Sequence, residues 1–527
     1  MRVVSRRLLP LCLVAVAACV PPEEEGRSEP SSLVLVVVDT LRGDHLGIAG
    51  GPVETPTMDR IAASGVRFTA ARSHIPITGP SHATLFTSRS PLDHGVRNNA
   101  QAVPAAERML AELLSEAGYT TAGFVSLGVL RSKFGFGKGF DVYVDNEEGV
   151  FWKRASELTD DILRWLGDRP PGPLFLWAHY SDPHAPYAPP GLEYPEVDAR
   201  VDGRIVHRIT ADGAPVLVDV PLTAGSATLG LTAPDEDNGR MVVRDLHTLG
   251  RSCQIEITGM ERLSGRLETR YRGSLPVLLD LLCEEGASDD VTVRLRVEER
   301  LTEAEARRRY ALEVEYADRE IGRLLDGLRR AGVRGQDRLL VLVSDHGEGV
   351  GDHGLRGHVH QLYDSLLHVP LLMAAPGLLD PGVVRTDPVG LIDVAPTVLD
   401  LLGVERPEGM RGRCLFPPPD PAPHLASTHR PQAKRNLLAL IDGGRKLILA
   451  PDSGQTELYD VARDPAELED VGSRHPDVAR ELTRRLRRVS DATEAGSAAP
   501  RPELDDDDRA ALRALGYVDT AEDDGVQ

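Results

Sequence analysis

The sequence predicts an α/β fold built on a mostly parallel sheet, and three observations carry that prediction. Residues 33–38 (LVLVVV), 174–178 (LFLWA) and 339–343 (LLVLV) are continuous apolar runs of strand length, as expected of strands buried on both faces. Helical patterns lie between them, at 107–117 and 302–331, and strands alternating with helices imply a sheet covered on both sides. Each run is followed by acids or imidazoles: Asp39 after the first, His179, Asp182 and His184 after the second, Ser344, Asp345 and His346 after the third. Such sheets bind ligands at the carboxyl ends of their strands, so three endings of this kind read as one site.

Taken in order, the chain opens with an export signal. Arg2, Arg6 and Arg7 precede an apolar run over 8–18 that is too short for a permanent membrane span. The run ends Val16-Ala17-Ala18-Cys19, which resembles the bacterial lipobox, so Cys19 is expected to be lipidated and to anchor an exported lipoprotein in the cell envelope, facing the periplasm or the outer surface. Residues 5–9 also fit a twin-arginine signal, leaving the export route open. Residues 20–32, with Pro and Glu, read as a flexible tether. Once Cys12 is removed and Cys19 lipidated, a Cys253–Cys283 disulfide leaves Cys414 odd, a pairing that sequence alone does not fix.

A chain of 527 residues implies two or three domains. The formal net charge of -21, with no basic stripe, argues against a nucleic-acid partner. Residues 33–194 and 302–405 read as two parts of a catalytic domain. Between them, 195–301 breaks into short alternating segments such as 216–220, 227–231 and 291–297, separated by Gly, Asp and Pro turns, which reads as an all-β insert. No row of aromatic residues suggests sugar binding there, so packing or spacing is its expected role. The helix over 302–331 opens with a capping-box pattern, Thr302 and Glu305, and carries Val314, Ala317, Ile321, Leu324, Leu325 and Leu328 on one stripe. Residues 406–490 read as a small antiparallel sheet, with strands at 446–450 and 457–461, and a helix at 476–489. An acidic tail over 491–527 carries a further short helical stretch.

The stretch 73–89, SHIPITGPSHATLFTSR, places the hydroxyl of Thr78 at the mouth of a helix. Pro80 suits a first helical position, Gly79 permits close backbone approach, and Ser81 and His82 fall in the first turn. Free N–H groups and the helix dipole would favour an oxyanion beside Thr78. A Thr before Gly-Pro is more often a plain helix cap; what argues for more is the company it keeps.

That company is extensive. VVVDTLRGDHLG from Val36, TPTMDRIAASGVRF from Thr55, PSHATLFTSRSPLDHGVRNN from Pro80, DPHAPY from Asp182, SDHGEGVGDHG from Ser344, YDSLLHVPLL from Tyr363 and ELYDVARDPAE from Glu457 resemble, in order, the landmarks of the sulfatase family within the alkaline phosphatase superfamily. The resemblance implies an alkaline-phosphatase-like sheet sandwiched by helices, with the β insert and a small C-terminal α+β subdomain attached. It also exposes departures. Thr78 occupies the place of the family's formylglycine precursor and His82 that of its Arg; Gly123-Phe124-Val125-Ser126 stands for the family's Gly-Lys-Trp-His, and His358 for a further Lys.

The same positions resemble the branches of the superfamily that use Thr directly, and there a metal site of Asp39, Thr78, Asp345 and His346 is implied. Coordination to a divalent cation is a standard way to activate a hydroxyl. Three oxygens and one imidazole suit zinc or manganese better than calcium, with magnesium also open. A second ion would draw on His184 and His358, with Asp182 or His360 as further candidates. Asn99 matches an amide that donates to a nonbridging oxygen. The implied function is metal-dependent hydrolysis of sulfate or phosphate esters, small or on glycans or lipids, with Thr78 as nucleophile, His82 and Asn99 assisting, and phosphoesters slightly favoured. A strict sulfuric ester hydrolase, a phosphoryl transferase and a catalytically silent binding protein are the alternatives.

Overall fold

The computed structural model describes residues 31–146, 152–192, 301–493 without 431, 432 and 434, 499–504, 509 and 512, and, between 194 and 299, the strands of an inserted unit. The export signal, Cys19 and nearly all of the tether lie outside the described residues, as does most of the acidic tail. Among the described residues no helix is long and apolar enough to cross a membrane.

In chain order the central strands are β1 Ser32–Val38, β2 Val66–Phe68, β3 Thr120–Val125, β4 Val142–Val144, β5 Leu174–Tyr180, β6 Arg338–Val343, β7 Leu371–Ala374 and β8 Val383–Arg385. They form one sheet in the order β8-β2-β7-β6-β1-β5-β3-β4. β7 runs antiparallel to both neighbours and the other pairings are parallel. Three helices matter most for the site: α1 Thr78–Thr87, α2 Ala155–Asp168 and α3 Glu303–Arg330.

The two-residue period of a strand divides the apolar runs between two cores. Leu33, Leu35 and Val37 join Phe175, Trp177, Val341 and Val343 against Ala83, Leu85 and Phe86 of α1. Val34, Val36 and Val38 join Leu174, Leu176, Leu340 and Leu342 against Tyr310, Val314, Ala317 and Ile321 of α3. Burial on both faces is why these runs are continuous rather than alternating.

α3 begins where its cap predicts: Thr302 Oγ1 accepts the Glu305 N–H at 3.2 Å. The expected capping box is only half formed, because the Glu305 carboxylate turns to Arg308 and Arg309 instead. The helix expected at 107–117 is Leu110–Glu116, its start fixed by Glu112 accepting the Met109 N–H at 2.9 Å.

Between 196 and 299 the strands form two five-stranded antiparallel sheets. Cys253 stands directly opposite Cys283 there, while Cys414 is itself disulfide-bonded, which corrects the expectation that it is the odd thiol. Beyond residue 405 a four-stranded antiparallel sheet, His424–Thr428, Leu437–Asp442, Arg445–Ala450 and Gln455–Asp460, is followed by the helix Pro476–Thr493. Buried Lys446 ties this sheet to the catalytic domain through Asp364 at 2.9 Å and pairs within its own subdomain with Glu467 at 2.8 Å, and Asp364 also accepts from Arg72 at 2.7 Å.

Candidate metal and catalytic site

Strand register assembles the centre. Val37 of β1 lies opposite Val343 of β6 on one side and His179 of β5 on the other, and the Asp39 N–H donates to Tyr180 O at 2.8 Å. Asp39, His179 and Asp345 therefore arrive at one edge of the sheet, on the face that carries α1. The loop after β1 is held by α3: Tyr310 Oη donates to Thr40 O at 2.8 Å and accepts the Arg42 N–H at 3.0 Å. The Arg42 guanidinium spans Asp44 and Asp352 and donates to Glu348 O, fastening this loop to the one after β6.

Thr78 is the first residue of α1, with extended Ile77 as its cap, and Pro80 is the third. The predicted mouth of free N–H groups is not formed as expected: Pro80 has none, and that of Gly79 donates to Asn99 Oδ1 at 2.8 Å. The amide donor of Asn99 is thus its other end, as a role toward an oxyanion requires.

Asp39, Asp345 and His346 bring ligand atoms within 4.8 Å of one another. His346 Nε2 lies 3.4 Å from Asp345 Oδ2, 3.9 Å from Asp39 Oδ1 and 3.4 Å from Thr78 Oγ1. Its Nδ1 is 3.0 Å from Gly347 O, so that nitrogen carries the proton and Nε2 offers a lone pair. Asp345 Oδ1 accepts the N–H groups of Thr40 and His346 at 3.2 and 2.9 Å, which leaves Oδ2 facing the centre.

The remaining predicted residues divide. His184 and His358 reach the centre, with ring centroids 4.9 Å apart and His358 4.5 Å from His346. Asn99 joins them through Gly79. His360 is a neighbour of His358, whose pKa it helps to lower, rather than part of the carboxylate cluster. His82 lies beneath the centre, fully buried, its Nδ1–H donating to Thr78 O at 2.8 Å and standing 3.7 Å from Asp345 Oδ2. Asp182 is not brought to the centre. Its Oδ1 accepts the N–H of Ala155 at the start of α2, and burial pushes its carboxyl up to about 7.

Two residues outside the predicted ligand set are at the centre: His179, seen in the sequence as a strand-end imidazole but given no role, and Glu348, which was passed over. His179 Nε2 stands 3.4 Å from Asp39 Oδ2. Its signal was present in the parity of β5, since it follows Phe175 and Trp177 on the face that meets α1. Glu348, fully buried, has Oε1 3.3 Å from His358 Nδ1 and supplies the carboxylate that Asp182 does not. One Glu in a Gly-rich loop gives no periodic signal, and only the fold shows its position.

Charge decides what this cluster can hold. Burial raises the Asp39, Asp345 and Glu348 carboxyls above the ordinary range despite the nearby imidazoles. Burial lowers His82 to about 3 and His179 to about 4, whereas Asp345 and Asp39 outweigh burial at His346 and raise it. The ion-pair partners of Asp39 and Asp345 among the described residues are all imidazoles. Among the described residues, both oxygens of Asp39, Oδ2 of Asp345 and Oε2 of Glu348 are buried without a hydrogen-bond partner. Buried carboxylates in that state are costly unless a cation meets them, so the residues fit a divalent ion.

A mostly parallel α/β sheet with clustered acids and imidazoles at its strand ends, facing a hydroxyl on a helix, defines a candidate metallohydrolase centre. The sulfatase family model matches residues 31–404, and the chain belongs to the sulfatase family. It is 24% identical over 519 residues to an N-acetylglucosamine-6-O-sulfatase of Bacteroides thetaiotaomicron, covering 89% of this chain and 87% of that one. It is 26% identical over 429 residues to an ulvan-active sulfatase of Formosa agariphila, covering 79% and 69%. A solved structure in complex with its substrate D-glucosamine-2-N,6-O-disulfate matches with a TM-score of 0.62 and 19% identity, over 89% of this chain and 98% of that one. The phosphonate monoester hydrolase of Agrobacterium radiobacter matches with a TM-score of 0.60 and 20% identity, over 90% and 100%.

Proposed function

We propose that this sulfatase-family hydrolase uses Thr78 as a direct nucleophile at a divalent-metal centre of Asp39, Asp345 and His346, and that phosphate or phosphonate esters are its better substrates. The observation that carries this reading is the 3.4 Å separation of Thr78 Oγ1 from His346 Nε2, beside buried carboxylate oxygens that lack a geometrically sound hydrogen-bond partner among the described residues. Bound there, a divalent cation would favour the Thr78 alkoxide and offset charge on the ester. The donor set, nitrogen with oxygens, suits zinc or manganese.

Thr78 Oγ attacks the phosphorus or sulfur of the ester and displaces the alcohol, leaving a Thr78 ester that water then hydrolyses. Asn99 donates to a nonbridging oxygen. His184 and His358, which burial keeps neutral, would hold a second ion together with Glu348, and that ion would take up the charge of the departing alkoxide before water protonates it. His82 acts from beneath by fixing the backbone of Thr78. The phosphoester preference is supported by Thr78 and His358, which replace the formylglycine precursor and a Lys of the sulfatase pattern, and by the likeness to a phosphonate monoester hydrolase. Sulfate-ester hydrolysis is the second reading, favoured by the sulfatases that match across most of the chain. We further propose export and anchoring through lipid on Cys19, which labelled fatty acid incorporation into wild type but not Cys19→Ala would support.

The chemical test is to quench turnover and map peptides by mass. A phosphoryl or sulfuryl adduct on the Thr78 peptide is expected, and an adduct on another residue would overturn the assignment.

A further inference from the structure

Among the described residues six that are not glycine hold φ in the left-handed region, and three of the six directly follow a side chain of the centre. Thr40 (φ 58°) follows Asp39, Ala100 (φ 63°) follows Asn99, and Val359 (φ 81°) follows His358. They sit in three separate loops, so no single turn accounts for them. A side chain costs free energy in that region, and β-branched Thr and Val are genuine outliers there. Such strain persists only where the surroundings over-determine it, and it gathers at functional sites.

The surroundings are specific in each case. Thr40 is fully buried with its polar groups engaged. Its N–H donates to Asp345 Oδ1 at 3.2 Å, its Oγ1 donates to Asp39 O at 2.7 Å, and its carbonyl accepts from Tyr310 Oη at 2.8 Å. One residue thus ties the backbone of one carboxylate to the side chain of the other. Ala100 lies in a turn closed by Gln101, whose Oε1 accepts the Arg97 and Asn98 N–H groups at 2.7 and 2.9 Å, and Asn99 Oδ1 accepts the Gly79 N–H at 2.8 Å. The Val359 N–H donates to Pro76 O at 3.1 Å, two residues before Thr78. Its side chain is buried in the same core as Ile75 and Ile77, while the ring of His358 before it meets His346. At each point the turn sends one residue to the centre and the next to its support.

We propose that Thr40, Ala100 and Val359 are positioning residues, whose restricted left-handed backbone holds Asp39, Asn99 and His358 in place before metal and ester bind. The inference rests on the centre of the proposed function, and not on whether phosphate or sulfate esters are its better substrates.

The experiment separates backbone from side chain by comparing alanine with glycine at each position: Thr40→Ala with Thr40→Gly, wild type with Ala100→Gly, and Val359→Ala with Val359→Gly. Glycine adopts positive φ freely, so it removes the strain and the restriction together. Metal-free protein should melt no lower with glycine than with alanine. Zinc binding by titration calorimetry should nonetheless be about 10-fold weaker in Thr40→Gly than in Thr40→Ala. On the aryl sulfate or phosphate ester that wild type turns over fastest, kcat should be about 10-fold lower in Ala100→Gly and Val359→Gly than in their alanine partners. A purely structural role would move stability and function in the same direction. A glycine variant that melts lower than its alanine partner, or that matches it in zinc affinity or kcat, overturns the role of that residue. Wild type that neither binds zinc nor turns over any of the esters would sink the centre itself, which separates the two failures.

Discussion

Thr78 Oγ1 and Asp345 Oδ2 stand at the same distance, 3.4 Å, from His346 Nε2, although they come from a helix start and a strand end 267 positions apart. One imidazole nitrogen thus reports on both the proposed nucleophile and the ligand cluster.

Separating those roles is the first prediction. Thr78→Ala should lower kcat/KM by about 10³-fold or more while zinc affinity falls only modestly. Thr78→Ser, which keeps the hydroxyl, should recover much of the rate. Steady-state kinetics beside calorimetry checks both.

Asp345→Asn should do the reverse, weakening metal binding first and activity as a consequence. Chelation of the wild type should abolish turnover, and zinc or manganese should restore it where calcium does not. Metal content by mass spectrometry measured with activity checks this.

Stability should depend on pH through Asp182 and Glu313. Burial raises them to about 7 and about 9, and the Asp182 carboxylate adds to the rise at Glu313. Folded pKa values above unfolded ones mean that the protonated forms favour the fold. Their contribution is complete below about pH 4 and is lost as pH rises through 7 and then 9, by at most about 1.4 kcal/mol per pH unit for each group. Melting temperature should therefore fall from pH 6 to 9, and Glu313→Gln should flatten the upper part of that fall.

Asp364→Asn should destabilise the fold by about 3–5 kcal/mol, because it leaves Arg72 and fully buried Lys446 short of their shared partner. Urea unfolding measures the loss, and activity of the folded protein should be retained because Asp364 pairs with Arg72 and Lys446 rather than with the centre.

Much of this arrangement was legible in the sequence. Continuous apolar runs declared strands buried on both faces, and the acids and imidazoles after them marked the edge where Asp39, Asp345, His346 and Thr78 meet. His184 and His358 were found by their motifs. What was hidden depends on side-chain direction. Asp182 and His184 are two positions apart, yet one turns to the start of α2 and the other to the centre. His82 looked catalytic in the first turn of α1, but its ring points inward to Thr78 O and Asp345. Two of the C-terminal strands, His424–Thr428 and Leu437–Asp442, were also missed: the first directly follows the Pro-rich crossing, whereas the second did carry a hairpin signal, the Asp442-Gly443-Gly444 turn before Arg445.

The most direct test is turnover by the soluble domain, stripped of metal and reloaded, against matched aryl esters: sulfate, phosphate monoester, phosphate diester and phosphonate, with Thr78→Ala alongside. The account predicts metal-dependent hydrolysis, highest on a phosphodiester or phosphonate and abolished in the variant. Turnover that survives in Thr78→Ala, or that ignores removal of metal, would contradict it.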